Sequence, residues 1–597
     1  MLATPTKILL LWLLSLTSAY TLHSIPRHRL RVFMTAQSQM SGAPSDLSQM
    51  SGSNPTSGAY SFEFWSKAFR SQKEEFDYKI DSKDVEGEIP ADLVGTLYRA
   101  MPARFERAGV EYGHYLDGDG YIVRLAIDSH GAHFKSSFVK TAEYVRESLE
   151  DQICFRSTFR TQRPAARMKG LPFEFDLNNA FDLKLKCLAN TNAVFWAGKL
   201  LALFEAGVPH ELNPTSLETV GEYDMNIGDD LKSGMSVLIP QLYDKYRKVH
   251  NSVFGSAMTA HPKIDKQRGV LVGWIWRAEV SPERGPLDTR PTLAVYEWDG
   301  EMQVRGPPTR FTFEGTTVAP HDFSFTDKYY VFCENRISGN VMPYILGISS
   351  PADCVAIDPS SSLALYLVAR PSSSKDATHV KASEKVVRIP LNSPGFAIHS
   401  VCAFESGAQE MTLLTTAWKT ETVGSGHVRG GLLGAWEGQA PQFDSIPTTL
   451  LYETIVDAAE GTLISHAPVK GMEQQVVEHP HINPNMEGLP VRYVWMSIGS
   501  STGLSSPPIG YMRLDRQTGD KQIWMAPIHT YCEEVVVVPK SKTVEDECWI
   551  VASLFDSVQE LSSVAIFDGK DMAKGPVGRI WLKHALPHSL HGCFERE

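Results

Sequence analysis

Apolar residues in this chain come in short runs separated by turn residues. GTLYRAM at 95, YIVRLAID at 121, AVFWAGKLLALFE at 193, GVLVGWIWRAEV at 269, YYVFCEN at 329, VRYVWMSIG at 491, CWIVASLFDS at 548 and VAIFDG at 564 are rich in β-branched and aromatic residues and bounded by Gly, Pro, Asn or Asp. Several alternate apolar with polar positions, the period of a half-buried strand. Short strands recurring along most of the chain, with no alternating series of long amphipathic helices, predict an all-β repeat architecture rather than a doubly wound sheet. A propeller is the natural candidate. The strongest helical pattern is Leu231, Met235, Leu238, Leu242, Tyr246 and Val249, which Pro240 would kink.

Composition sharpens this picture. The 44 glycines and 36 prolines favour turns over long helices, and a net charge of −12 without a basic stripe argues against a nucleic-acid partner, whose phosphates need a cationic face. Eight scattered cysteines include no CxxC pair, so neither a thiolate zinc site nor a disulfide framework is indicated, and they read as reduced, mostly buried thiols.

The N-terminus follows different rules. Lys7, the apolar run Ile8 to Leu16 and the small residues Ser18 and Ala19 have the order of a signal peptide, and the run is too short to span a bilayer. From Tyr20 to Ala43 the chain is basic (His23, Arg27, His28, Arg29, Arg31) and lacks acidic residues, and residues 36–58 form a Ser/Gly/Pro/Gln linker unable to bury a core. This resembles the bipartite plastid presequence of algae with complex plastids; secretion or residence in an endomembrane lumen is the alternative. The expected organisation is a signal peptide over 1–19, a transit peptide and linker over 20–58, and one folded domain over 59–597.

Four histidines stand in distinctive contexts: His261 in TAHPKID, His321 in PHDFSFTDKYYVF, His399 in GFAIHSVCAFE and His591 in PHSLHGCF. Taken singly, each is more often a structural residue than a ligand. Together their contexts resemble the iron-ligand motifs of the carotenoid cleavage oxygenase family, which also includes the vertebrate retinoid isomerase. GTLYRAMPARF at 95, YLDGDGYIVRL at 115, the stretch from 188 to 219 and EHPHINPNMEGLPVRYVW at 478 extend the resemblance from about Tyr60 to Phe594.

The resemblance implies a seven-bladed propeller with a helical and loop cap over an axial iron site. It assigns Fe(2+) to His261, His321, His399 and His591, and it makes Glu205, Glu478 and Glu534 carboxylates that orient three of those rings. The implied reaction is oxidative cleavage of a C=C bond in a carotenoid or apocarotenoid, with a lipophilic polyene and O2 as partners and an apolar tunnel. The apolar stripe of the insertion at about 228–258 reads first as a surface element packed on the propeller rim and, as the alternative, as a peripheral membrane contact for substrate uptake. Within the same fold, a retinoid-type isomerase or hydrolase and a non-catalytic carotenoid-binding propeller are the alternatives. The seven residues are separated by 56, 60, 78, 79, 56 and 57 positions, near the length of one four-stranded blade with its loops. Departures from the family pattern are Cys402, Glu533, Val535 and Ser589, the RAMP segment, and an insertion at about 228–258. The HPH and HSLH pairs lack a third ligand at zinc spacing, so His479, His481 and His588 read as surrounding or surface residues.

Overall fold

The apolar runs become strands that are buried on both faces, and this arrangement sets the architecture. In Val270–Val280, Val270, Val272 and Trp274 pack towards one neighbouring sheet while Leu271 and Ile275 pack towards the other. A strand covered on both sides reads as a continuous apolar run, so the alternation expected from half-buried strands gives way in such segments. The computed structural model describes residues 60–596 apart from 167–175, 183, 228–256, 281–288, 315–319, 336, 341, 358–361, 372–385, 394, 420–439 and 444–445. The presequence, the linker and nearly all of the 228–258 insertion, with its helical pattern, lie outside the described residues.

Seven antiparallel sheets of four or five strands form the blades of a β-propeller. Blade 1 runs through Asn192–Trp196, Lys199–Leu203, His210–Leu212 and Thr219–Glu222. Blade 2 begins with Ala257–Met258 and Lys263–Asp265, which both pair with Val270–Val280, and continues with Thr289–Trp298 and Thr309–Thr312. Blade 3 comprises Phe323–Phe325, Tyr329–Glu334, Ala364–Ala369 and Val386–Pro390, and blade 4 Ala397–Glu405, Glu410–Trp418, Thr449–Asp457 and Thr462–Pro468. Blade 5 comprises Val477–His481, Tyr493–Ile498, Gly510–Asp515 and Lys521–Met525.

The last two blades close the ring with strands from both ends of the domain. Blade 6 (Thr530–Pro539, Cys548–Asp556, Leu561–Asp568, Gly578–Trp581) takes its outermost strand from Val85–Gly87. Blade 7 (Gly95–Arg104, Asp119–Asp128, Gly131–Phe138, with Asp77–Lys79 outside) takes its innermost strand from Gly592–Arg596. Each of the seven junctions between neighbouring blades holds its own apolar cluster, such as Leu97, Leu125 and Phe134 against Val536, Val551 and Ile580 between blades 7 and 6. The core is therefore a ring of wedges, and the axis is left to polar side chains.

Strand alternation also sorts the loops onto two faces. The start of an innermost strand and the end of the second strand lie on the same face. The described residues of 139–190, which lead into blade 1, and of 335–363, which follow the second strand of blade 3, therefore share that face. They carry the short helices Ala142–Glu150 and Met342–Ile345. Arg156, fully buried, ties the two excursions together by donating to the carbonyls of Asn179, Tyr344 and Ser349. This is the cap expected from the sequence. All eight cysteines are free, four buried and four partly exposed, so burial is less general than their scatter suggested.

Candidate metal centre

Each blade sends one of the seven candidate residues to the capped end of the axis, and local irregularity aims it there. His261 sits in the break between Ala257–Met258 and Lys263–Asp265, and His321 just precedes Phe323–Phe325. His399 lies in the register shift at Ala397/Ser400, which a second shift at Ser400/Cys402 follows; Glu478 and Glu534 lie in shifts at Glu478/His481 and Cys532/Val535. Such bulges turn a side chain that a regular strand would bury between blades. His591 precedes the closing strand, its carbonyl accepting from Ala100 N at 2.8 Å. Glu205 differs, arriving from beyond the second strand of blade 1 rather than from an innermost strand.

The four imidazoles converge. Ring centroids are 4.5 Å apart for His261 and His321, 4.7 Å for His261 and His591, 5.1 Å for His399 and His591, 5.3 Å for His321 and His399, and 5.4 Å for His261 and His399. The donor atoms of His261, His399 and His591 lie within 4.8 Å of one another, as do those of Glu205, His261 and His321.

Three rings are backed by carboxylates. His399 Nδ1 lies 2.7 Å from Glu478 Oε2, His591 Nδ1 lies 2.7 Å from Glu534 Oε1, and His321 Nδ1 contacts Glu205 Oε1. A ring that donates its Nδ1–H to a carboxylate keeps the Nε2 lone pair for a cation and becomes more basic. His261 has no such backing. Its Nε2 is buried without a hydrogen-bond partner, 3.6 Å from Glu205 Oε1.

Electrostatics agree with a site built for an added positive charge. Burial, reinforced by the other three rings, pushes His261 well below its usual range, and burial lowers His591 as well, against the pull of Glu534. Burial opposes a charge on His321 too, but Glu205 outweighs it and lifts the ring. Burial would raise Glu478, yet its charge interaction and hydrogen bond with His399 bring it down to about 2; His591, His481 and Arg99 overcome burial to hold Glu534 well below the carboxylate range. Glu478 and Glu534 stay ionised and the unbacked ring of His261 stays neutral.

A divalent cation fits the residues present: four imidazoles, one with an orphaned buried nitrogen, are a donor set suited to a metal such as iron.

Three partners of Glu534 were not assigned from sequence. Arg99, 2% exposed, donates from Nη1 to Glu534 Oε2 at 2.7 Å and from Nη2 to Ser589 Oγ at 2.6 Å. Ser589 in turn donates to Glu533, so two departures from the family pattern form one hydrogen-bonded unit. His481 Nε2 lies 2.8 Å from Glu534 Oε1, and Gly592 N donates to Oε2 at 3.0 Å. His588 is buried, its Nδ1 3.8 Å from Glu533 Oε1, and burial pushes His479 down to about 3.

Beyond the histidines, on the side away from the cap, lies a cavity of about 220 Å³. Its walls follow the site residues along the innermost strands and include Lys263, Asp322, Ser400 and Cys593, with Glu487 from a loop of blade 5. Lys263 Nζ lies 3.4 Å from Asp322 and donates to Ser400 O at 2.9 Å. Burial lifts Glu487 to about 7 and Cys593 to about 12, so no thiolate competes for a cation here. These polar groups alternate with Val194, Ile264, Val401 and Ile482, so the cavity is mixed in character and is not the apolar tunnel expected for a polyene. An apolar group does lie near His399 on the capped side: Ile357 and Trp418, with Phe396 and Ile398 packed against them.

Fold and site together define a seven-bladed propeller whose axis ends in four imidazoles and three carboxylates. Residues 69–596 match the family described as RPE65, retinal pigment epithelial membrane protein, and the chain belongs to that family, the carotenoid cleavage oxygenases. The apocarotenoid-15,15'-oxygenase of Synechocystis sp. is 28% identical over 547 residues, covering 91% of this chain and 98% of its own. The resveratrol cleavage oxygenase 1 of Aspergillus fumigatus is 23% identical, with 86% and 92% covered. Among solved structures, cobalt-substituted Synechocystis ACO superposes with a TM-score of 0.73 at 27% identity, covering 90% of this chain and 99% of that one.

Proposed function

We propose that this protein is a non-haem Fe(II)-dependent dioxygenase that cleaves a C=C bond of a carotenoid or apocarotenoid to give carbonyl products. The observation that carries the reading is the convergence of His261, His321, His399 and His591 on one point, three of them backed by Glu205, Glu478 and Glu534. Relatives named for apocarotenoid, carotenoid and resveratrol cleavage, of which the first and third extend over most of the chain, support oxidative cleavage as the chemistry.

The four histidines would hold the metal, which when bound supplies a redox-active binding place for dioxygen. The chain does the rest. Glu205, Glu478 and Glu534 fix the tautomer and tilt of three rings, so the geometry of the donors is set before a substrate arrives. Glu478 and Glu534 are engaged by ring nitrogens and Glu205 contacts His321 Nδ1, so four neutral imidazoles as donors would leave a bound cation its positive charge. A polyene offers no charged handle and must be positioned by shape; Ile357, Phe396, Ile398 and Trp418, on the capped side of His399, supply an apolar surface for it.

The test is turnover of candidate carotenoids and apocarotenoids by iron-loaded protein under labelled dioxygen. Label in two carbonyl products is the expected result. Isomerised or hydrolysed substrate, or pigment that stays bound and unchanged, would replace this reading with one of its alternatives. For location we propose the plastid, on the presequence pattern of residues 1–58; export of a reporter fused to residues 1–60 in an alga with complex plastids would reject it. Membrane contact for substrate uptake is likewise proposed, and unchanged flotation on liposomes after deletion of residues 230–250 would reject a role for that segment.

A further inference from the structure

His479 follows Glu478 and is not one of the four converging histidines, yet its placement is unusual. Its backbone is left-handed, with φ of 49°, inside the register shift between Glu478 and His481. Pro480 follows, and a residue before proline favours extended backbone. The conformation is held by a hydrogen bond from His479 N to Glu478 Oε2 at 2.9 Å. Held strain of this kind is a reason to look for function.

The ring it aims lies 5.7 Å from the His399 ring and 5.6 Å from that of His591, and Nδ1 is buried without a hydrogen-bond partner. His479 is absent from the sets whose donors fall within 4.8 Å of one another, so it stands just outside the converging group. Together with His261, His399 and His591 it lines the cavity of about 220 Å³, well above the roughly 10–15 Å³ that one water needs. A neutral imidazole offers one N–H and one lone pair. Here Nδ1 is sealed from solvent and unpaired, and the ring as a whole lines a space where a small polar molecule fits.

We propose that His479 is a positioning residue that hydrogen-bonds a small ligand, water or an oxygen-derived anion, held at the four-histidine centre on its cavity side. This rests on the reading of the four histidines as a metal site. The competing explanation is packing, in which the ring merely fills space against His399 and His591. Phenylalanine would fill that space as well and could not hydrogen-bond.

Full-length protein loaded with cobalt(II) gives visible bands that report both metal occupancy and binding of azide, a small anion that can coordinate and accept a hydrogen bond. Wild type, His479→Phe, His479→Leu and His479→Gln are compared at equal cobalt content. The expected result is an azide dissociation constant raised about tenfold in the Phe and Leu variants, the factor associated with one hydrogen bond to a charged group, and largely restored by Gln. Two apolar variants keep the test decisive if one fails to fold, as thermal melting will show. Unchanged azide affinity in a folded, cobalt-replete Phe or Leu variant overturns the proposal. So does loss of cobalt from such a variant, which would make His479 a structural or ligating residue. Wild type that binds no cobalt rejects the metal site itself, and this inference with it.

Discussion

Glu534 and Glu205 perform the same task in contrasting surroundings. Glu534 is 2% exposed and grips His591 while also receiving Arg99, His481 and the Gly592 amide. Glu205 has a side chain 35% exposed, contacts His321, itself 27% exposed, and leaves His261 at 3.6 Å. One corner is clamped by the strands that close the ring. The other rests on a single contact from the end of a second strand. Orientation of a ring thus has two sources here: a stiff network that also stabilises the fold, and a lone carboxylate that serves the site alone.

The largest test of this contrast is Glu534→Gln. It should weaken metal binding about 100-fold. It should also cost metal-free protein about 3 kcal/mol, because buried Arg99 loses its charged partner. Metal content after dialysis and denaturant midpoints check the two parts. A variant that loses metal at full stability would separate functions we regard as joined. Glu205→Gln should weaken metal binding about 10-fold with a stability change within about 0.5 kcal/mol; a large fall in its unfolding midpoint would erase the distinction between the corners.

Glu478 provides an intermediate case through pH. Its carboxyl falls from an ordinary 4.5 to about 2 in the folded chain. The unfolded chain therefore binds more protons between those values, and the stability contributed by the folded carboxylate is present above pH 4.5 and lost as pH falls through about 2. Metal-free Glu478→Gln should show a flatter decline of stability across that window, measured by denaturation at a series of pH values. An identical slope would place the carboxylate's charge outside the stability balance. Ser589→Ala should have the smallest effect, about 1 kcal/mol, as the bonds to Arg99 and Glu533 are lost while Arg99 keeps Glu534. Metal affinity should be unaffected, and a fall in it would extend the clamp one residue further than drawn here.

The seven converging residues were legible through the family resemblance that their local motifs carry, and their blade-length spacing accompanied that assignment without being able to make it. Arg99 was not legible, since an arginine within GTLYRAM has no local partner to explain it. Its partners Glu534 and Ser589 lie 435 and 490 residues away. His481 read as a surrounding or surface residue because the bulge that turns it towards Glu534 is a property of strand register, which no single strand reveals. The cavity escaped for a related reason: Lys263, Asp322 and Glu487 belong to three blades, and only closure of the ring brings them to one axis. Alternation misled where blades are covered on both sides, as at Val270 to Ile275.

The closing strand Gly592–Arg596 directly follows His591 and completes blade 7 beside Gly95–Arg104. During synthesis, therefore, the fourth imidazole and the clasp of the ring leave the ribosome together, after every other blade has emerged. A nascent chain halted before that point has neither a sealed ring nor a full donor set. Completion of the donor set is thereby coupled to closure of the ring, since a chain lacking residues from 591 onward would offer three of the four imidazoles beside an open blade 7.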